Sequence, residues 1–211
     1  MIAALILAGG GSRRAGVPMA LLPFPDLPLV ARQWLALRTA GCDPLRIAVG
    51  RDGEAVARGS GLARENFAAV RRRAATPFAS LQAGLVALLA DDTWPATVVQ
   101  PVGALPPHPS LVVALAERLL GGDGLAAVPA HGARTGHPVV LSRPLCEDVV
   151  RMDGRGEDLG RLLARLEETG ACERVEVYTD DVLVSLAGRG AYQRALRAIE
   201  REERAAVPRR R

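Results

Sequence analysis

The feature that most constrains the fold is an apolar run at the amino terminus that ends directly in glycines. Residues 1–8 are all apolar, and the loop after them reads Gly9-Gly10-Gly11-Ser12-Arg13-Arg14. An uninterrupted apolar run of this length is typical of a strand that is buried on both faces, as in a parallel sheet. The sequence therefore predicts an α/β protein with a glycine-rich loop at the carboxyl end of its first strand.

This glycine-rich loop predicts an anion-binding site. Glycines let backbone N–H groups approach a ligand closely, and successive N–H groups form a concavity that suits anions. Ser12 adds a hydroxyl group, and Arg13 and Arg14 add planar positive charges that match phosphate oxygens. The residues predicted to bind a nucleotide here are Leu7, Ala8, Gly9, Gly10, Gly11, Ser12, Arg13 and Arg14.

Known glycine motifs do not describe the loop. Its three glycines are contiguous, unlike the spaced G-x-G-x-x-G of dinucleotide-binding folds, and no G-K-[ST] of a Walker loop follows. A plain turn between a strand and a helix is the alternative interpretation of the glycines alone.

Composition predicts the size of the domain and argues against a nucleic-acid partner. The chain has 211 residues, 49% of them hydrophobic, which predicts one domain over residues 1–205 with a sizeable core. Three of the four net positive charges lie in the tail Arg209–Arg211, and residues 206–211 are expected to be disordered. Because aromatic residues make up only 3%, we expect no nucleic-acid partner.

Cysteine usage and hydropathy predict a cytoplasmic protein. The three cysteines are far apart and form no C-x-x-C motif, which fits a reducing compartment. The first apolar run has no basic segment before it and is shorter than the roughly 20 residues of a membrane helix. We therefore expect no signal peptide and no membrane association.

Strand and helix patterns alternate along the chain. Strands are predicted at 46–50, 66–70, 96–102, 126–129, 175–178 and 182–186, and helices at 29–40, 51–58, 80–89, 109–120, 144–150, 158–168 and 192–204. This alternation predicts a three-layer α/β/α domain with a mostly parallel, Rossmann-like sheet. Its site is expected at the carboxyl ends of the strands.

The opening of the chain resembles that of a known family. The order Leu7-Ala8-Gly9-Gly10-x-Ser12-x-Arg14-x-Gly16, followed by Ala20-Leu21-Leu22-Pro23-Phe24, is similar to the start of the MobA-like nucleotidyltransferases. That family includes the molybdenum cofactor cytidylyl- and guanylyltransferases. The resemblance implies a nucleotide-diphospho-sugar transferase type of fold and CTP or GTP as the ligand.

Two later stretches extend the resemblance. Ser80 begins a stretch similar to the family's S-L-x-x-G-L helix start, which lies beside the nucleobase, and the residues alone also suggest Ser80 as a helix N-cap. Gly136-His137-Pro138 resembles the G-H-P turn of the molybdenum cofactor branch, which lies on the acceptor side of the cleft.

The chain departs from the family at its three most charged positions. Met19 stands where the family has its signature lysine, and the chain contains no lysine at all. By the same alignment Gly103 and Ala187 replace the two aspartates that hold Mg²⁺. The resemblance therefore implies weak or absent Mg²⁺ binding, and we assign no catalytic residue and no metal ligand.

Two other pairs of aspartates are candidate replacements for the metal ligands of the family. Asp180 and Asp181 precede Ala187 by six or seven residues, which is roughly 20 Å along a strand at about 3.3 Å per residue. Asp91 and Asp92 precede the strand at 96–102 and belong at its opposite end. Neither pair is expected to reach the metal position.

Three functions remain open from the sequence. The first is a nucleotidyltransferase-like pseudoenzyme that binds a nucleotide or phosphorylated small molecule and transfers nucleotidyl groups poorly or not at all. The second is an active NTP:molybdopterin nucleotidyltransferase with a rebuilt Mg²⁺ site. The third is an interaction or regulatory protein that uses the fold to bind a protein partner.

Overall fold

The computed structural model describes residues 1–10, 13–70, 76–90, 94–188 and 190–206, with side chains up to residue 199. Gly11, Ser12, Asp91, Asp92 and the arginine tail lie outside the described residues. The strands are β1 (Ile2–Ala8), β2 (Arg13–Arg14), β3 (Val17–Pro18), β4 (Cys42–Val49), β5 (Phe67–Ala69), β6 (Ala96–Pro101), β7 (Ala126–His131), β8 (Arg134–Thr135), β9 (Val139–Ser142) and β10 (Cys172–Glu176). The α-helices are α1 (Leu29–Thr39), α2 (Gly53–Gly59), α3 (Pro77–Leu89), α4 (Pro109–Leu120), α5 (Arg143–Arg151), α6 (Leu159–Glu168) and α7 (Ala191–Ala206).

An eight-stranded sheet lies at the centre of the described structure. Its order is β10-β7-β9-β6-β1-β4-β5, with β8 beside β7. β1 pairs in parallel with β4 and β6, β4 with β5, and β7 with β10, whereas β9 runs antiparallel to β6 and β7. β2 and β3 form a separate antiparallel pair. The predicted α/β class with a mostly parallel, Rossmann-like sheet is confirmed.

The apolar run at the amino terminus is buried on both faces, as its composition predicts. Ala4 and Ile6 of β1 belong to a core that α1, α4 and α7 cover, and Ala3 and Leu5 belong to a second core that α3, α5 and α6 cover. Alternate residues of a strand point to opposite faces, so an unbroken apolar strand supplies both cores. The result is the predicted three-layer arrangement.

Helix α3 begins earlier than predicted, so the N-cap assignment of Ser80 is wrong. Thr76 is the N-cap, its Oγ1 accepting a hydrogen bond of 3.0 Å from the Ala79 backbone N–H, and Pro77 is the first helical residue. A threonine followed by proline is a strong helix start, because proline lacks the N–H that would be unpaired there. Ser80 lies inside the helix and is buried.

The strand predicted at 182–186 is also wrong. Residues Asp180–Leu183 form a 3₁₀ helix, with the Thr179 hydroxyl accepting a hydrogen bond from the Asp181 N–H. Val182 and Leu186 are buried, but their spacing comes from this turn rather than from a pleat. A single bridge between Ala104 and Ser185 is the strand-like contact of this segment. The separation of roughly 20 Å expected for an extended segment therefore does not apply.

The remaining predicted elements agree with the observed ones within a few residues at each end, whereas strands β2, β3, β8 and β9 were not predicted. The largest difference is β4, which begins at Cys42 rather than at 46, because residues around Pro44 join the strand where its register against β1 shifts. None of the helices in the described part of the chain combines the length and apolar character needed to span a bilayer.

Candidate functional site

A small pocket lies at the carboxyl end of β1. Parallel strands β1 and β4 end side by side there, and each is followed by a turn. The pocket is lined by Ala8, Gly9, Gly10, Pro18, Met19, Ala20, Arg51, Asp52, Val56 and Val102. The edge of the sheet is the one that the sequence predicts for the site.

Gly9 is enclosed by the protein. A Cβ atom at Gly9 would lie 2.1 Å from the Ser80 Oγ, and a Cβ atom at Gly50 would lie 2.4 Å from the Gly9 carbonyl oxygen. The Ser80 hydroxyl donates a hydrogen bond of 3.1 Å to the Thr76 carbonyl. Of the residues predicted to bind a nucleotide, the structure thus brings Gly9 and Ser80 into contact. Gly10 differs, since no described atom lies within 4 Å of a Cβ placed on it.

Arg13 faces the pocket rim and pairs with Asp52. Its Nε donates a hydrogen bond of 3.1 Å to the Asp52 Oδ2, its Nη2 donates to the Oδ1, and its Nη1 donates a bond of 2.8 Å to the Gly16 carbonyl. These hydrogen bonds from Arg13 hold the pKa of the Asp52 carboxyl below its usual value, although burial acts in the opposite direction. The carboxyl is therefore charged at neutral pH.

Arg14, the arginine of the family signature, contacts a different element. Its Nη2 donates a hydrogen bond of 2.5 Å to the Gln193 Oε1, and its guanidinium lies 5.4 Å from the centre of the Tyr192 ring. Tyr192 and Gln193 both belong to α7. The structure therefore separates the two arginines that the sequence places together: Arg13 pairs with Asp52, which lines the pocket, and Arg14 holds the β2–β3 pair against α7.

The three departures from the family signature converge in space. A Cβ atom on Gly103 would lie 3.7 Å from the Met19 Sδ, and the Leu186 N–H donates a hydrogen bond of 2.7 Å to the Gly103 carbonyl. Ala187 follows Leu186 directly and is exposed. Met19, which lines the pocket, thus lies beside Gly103, and the segment just before Ala187 bonds to Gly103.

The backbone at Gly103 does not require glycine. Its φ is not among the positive values that favour glycine, and a Cβ atom there would make only an ordinary contact with Met19. Gly103 is therefore a position where a side chain fits and is missing. The aspartate that the family has at this place would be accommodated sterically.

Two buried glutamines hold the loop that carries Gly103. Gln33 Nε2 donates to the carbonyl oxygens of Val102 and Ala104 at 3.4 and 2.9 Å, and Gln100 Nε2 donates to the Leu105 carbonyl at 3.0 Å. Sequence reasoning did not find these positioning residues, although a polar residue on the apolar face of α1 is a signal for Gln33. Asp52 was missed as well, and its signal is its place just after a strand that neighbours β1.

The Gly136-His137-Pro138 turn lies against the segment that leads to Ala187. The His137 N–H donates a hydrogen bond of 2.9 Å to the Val182 carbonyl, and a Cβ atom on Gly136 would lie 2.1 Å from that same oxygen. Burial lowers the pKa of His137, and its Nδ1 is buried without a hydrogen-bond partner among the described residues. The turn therefore reaches the pocket only indirectly, through residues Val182–Leu186.

The side chains at the converging positions do not fit Mg²⁺. This ion takes oxygen ligands, usually one or two carboxylates with phosphates and water, whereas Met19 offers a soft thioether and Gly103 and Ala187 offer no donor. Asp52 is the carboxylate that lines the pocket, and Arg13 holds both of its oxygens. In the described ranges no three His, Cys, Asp or Glu side chains lie close enough together to hold a metal ion.

A mostly parallel sheet covered on both faces, with a glycine loop at the end of its central strand, defines an α/β protein of the nucleotidyltransferase type. A model of the MobA-like NTP transferase domain matches residues 4–170. Because this match covers most of the chain, the protein belongs to the MobA-like NTP transferase family.

Solved structures agree with this assignment. The fold is similar to that of a homologue of Mycobacterium tuberculosis Rv0371c from Mycobacterium sp. strain JC1, at 25% identity and a TM-score of 0.76, with 95% of this chain and 98% of that chain covered. A nucleotidyl transferase from Methanothermobacter thermautotrophicus is similar at 22% identity and a TM-score of 0.75, with 96% and 99% covered. Rv0371c of Mycobacterium tuberculosis in complex with manganese is similar at 23% identity and 0.72, with 93% and 98% covered. A search of curated protein sequences gives no match.

Proposed function

We propose that this nucleotidyltransferase-type protein binds a nucleotide or a related phosphorylated ligand in the pocket beside Gly9, and that its metal-dependent nucleotidyl transfer is impaired or absent. The observation that supports the proposal is that Gly103 lies beside Met19 of the pocket and accepts a hydrogen bond from Leu186, the residue before Ala187. We infer that these positions form one functional unit that lacks the charged groups of the family.

The magnitude of such a loss favours impairment. Removing one preorganised group that stabilises charge in a transition state typically lowers the rate by about 10²–10³. Several members of one unit are missing here, and their effects are not additive, so a low residual rate is expected. Anion binding depends on other groups, namely the backbone at Gly9 and Gly10 and the cations Arg13 and Arg51.

An active transferase with a rebuilt metal site is the second candidate. Rv0371c has been crystallised with manganese, and this chain shares its fold. In this chain, Asp52 is the carboxylate in the pocket that such a site would recruit. This candidate requires Asp52 to leave Arg13 and bind the ion.

Calorimetric titration of CTP, GTP and ATP, each in Mg²⁺ and in EDTA, separates these functions. The proposal expects micromolar binding of at least one nucleotide that EDTA does not abolish, and no pyrophosphate release with a pterin acceptor. Pyrophosphate release would overturn it in favour of the active transferase. If no nucleotide binds, while the protein copurifies with a stable protein partner, the scaffold function replaces it.

A triple variant tests the alignment behind the proposal. Met19→Lys, Gly103→Asp and Ala187→Asp together should create Mg²⁺ binding that the wild type lacks, because the backbone at Gly103 accepts a side chain. The matched control is Met19→Leu, Gly103→Ala and Ala187→Ser, which changes the same positions without adding charge. A folded triple variant that binds no more Mg²⁺ than this control would show that the positions are misassigned.

A further inference from the structure

The pairing of Arg13 with Asp52 has the geometry of a ligand contact. Two guanidinium nitrogens, Nε and Nη2, meet the two oxygens of one carboxylate. Arginine binds phosphate through the same planar fork. Asp52 therefore occupies the donors that an incoming phosphate group would use.

The Asp52 carboxylate does not cap the helix that it precedes. Asp52 is the N-cap residue of α2, and an aspartate there ordinarily accepts a hydrogen bond from the first turn of its helix. The Asp52 side chain makes no such bond. Its carboxylate is turned toward the glycine loop instead, within the lining of the pocket.

The pair can exchange partners without disrupting the fold. The Arg13 side chain is 48% exposed, and Asp52 is 16% exposed. The pair is thus half exposed on the arginine side and mostly covered on the aspartate side. A partly exposed ion pair contributes only modestly to stability, and water reaches the Arg13 guanidinium when the two side chains separate. The third donor of Arg13, bonded to the Gly16 carbonyl, keeps the side chain at the rim when Asp52 leaves.

We propose that Asp52 competes with the ligand for Arg13 and thereby lowers the affinity of the pocket for phosphate groups, so that only ligands with further contacts, such as two or more linked phosphate groups, are retained. This inference rests on the proposed function, since it concerns the same pocket. A ligand with one phosphate gains Arg13 only by displacing a carboxylate that stays nearby and repels it. A diphosphate or triphosphate also reaches the backbone at Gly9 and Gly10 or the side chain of Arg51, and these contacts offset the displacement.

The test is calorimetric titration of inorganic phosphate, pyrophosphate and tripolyphosphate in EDTA with the full chain. The wild type should bind pyrophosphate and tripolyphosphate well above phosphate. Asp52→Asn should tighten the binding of phosphate and of pyrophosphate by a similar factor of about tenfold, because both ligands displace the same carboxylate from Arg13. In the Arg13→Gln background, Asp52→Asn should give no gain.

Glu54→Gln is the matched control. Glu54 lies on the same helix and pairs with Arg58 and Arg64 rather than with the pocket, and its replacement changes the net charge equally. It should alter phosphate affinity by less than about twofold, because exposed charges at this separation are screened by salt.

Several outcomes would overturn the inference. Weaker or unchanged binding by the Asp52→Asn variant would assign Asp52 to holding Arg13 in place, and an equal gain with Glu54→Gln would reduce the effect to net charge. A loss of Mg²⁺-dependent binding in Asp52→Asn would make Asp52 a metal ligand. If one of these outcomes occurs while the wild type binds CTP or GTP in EDTA, the proposed function stands and only the role of Asp52 fails. If neither the wild type nor the Asp52→Asn variant binds phosphate, pyrophosphate, tripolyphosphate or a nucleotide, both proposals fail.

Discussion

Gly9 and Gly10 are neighbours in the loop after β1, but only Gly9 is enclosed by other parts of the protein. The Ser80 side chain of α3 lies against it on one side, and Gly50 at the end of β4 lies against its carbonyl. The local sequence does not distinguish the two glycines. Their tertiary surroundings do, because only Gly9 is closely approached by other elements.

Gly9→Ala should destabilise the protein, whereas Gly10→Ala should not. The alanine Cβ at position 9 would lie 2.1 Å from the Ser80 Oγ, so that the loop or α3 must move. We expect a loss of about 1–3 kcal/mol in the free energy of unfolding for Gly9→Ala and less than about 0.5 kcal/mol for Gly10→Ala. Urea denaturation measures both.

A second substitution checks the cause of this difference. Adding Ser80→Ala to Gly9→Ala removes the hydroxyl that the new methyl group meets and should recover part of the lost stability. Equal stability of the Gly9→Ala and Gly10→Ala proteins would contradict the contact between the loop and α3.

At the scale of elements, helix α3 packs closely on strand β1. A Cβ atom on Gly84 would lie 2.3 and 2.6 Å from the two Cδ atoms of Leu5, which is fully buried. The glycine lets the helix lie close to the central strand. This contact fixes the height of the α3 amino terminus, and hence of Ser80, over the glycine loop.

Gly84→Ala is therefore expected to destabilise by about 1–3 kcal/mol, although alanine is the better helix former by roughly 0.5–1 kcal/mol. The expected sign is opposite to helix propensity, which makes the measurement decisive. Val86→Ala, at a position of α3 that is 53% exposed, is the control for small changes in the helix. Combining Gly84→Ala with Leu5→Val should regain stability, and a Gly84→Ala protein more stable than wild type would disprove the close packing.

At the scale of the whole molecule, one sheet connects two cores. Cys42 belongs to the core under α1 and α4, and Cys146 belongs to the core under α3 and α5. Burial raises the pKa of each thiol to about 12 from an ordinary value of 9.0. Because the folded-state pKa is the higher one, this contribution to stability is complete below pH 9 and is lost as the pH rises toward 12.

The opening that exposes Cys42 and the opening that exposes Cys146 to a thiol reagent should have the same free energy. Both cores share β1, so unfolding one removes a wall of the other, and the domain is expected to open cooperatively. Proteins with Cys42→Ala and Cys172→Ala, or with Cys146→Ala and Cys172→Ala, allow the two labelling rates to be compared in dilute denaturant. Opening free energies that differ by more than about 1 kcal/mol would mean that the two faces unfold separately.

The sequence alone determined the family, the α/β class and the edge of the sheet where the pocket lies. It could do so because an apolar strand that ends in glycines is a local pattern, and because the family signature spans consecutive residues. It also selected Met19, Gly103 and Ala187; the fold places the first two side by side and bonds Gly103 to Leu186, the residue before Ala187.

The tertiary structure decided which partner each polar side chain takes. In the folded protein Arg13 bonds to Asp52 and Arg14 bonds to α7. Ser80 lies inside α3 rather than at its start, and Asp180–Leu183 form a 3₁₀ helix rather than a strand. These outcomes depend on groups that are far apart in the chain and meet only after the sheet has formed. A hydrogen-bonding side chain has several partners of similar energy within local reach, so its final partner is set by packing rather than by its own sequence context.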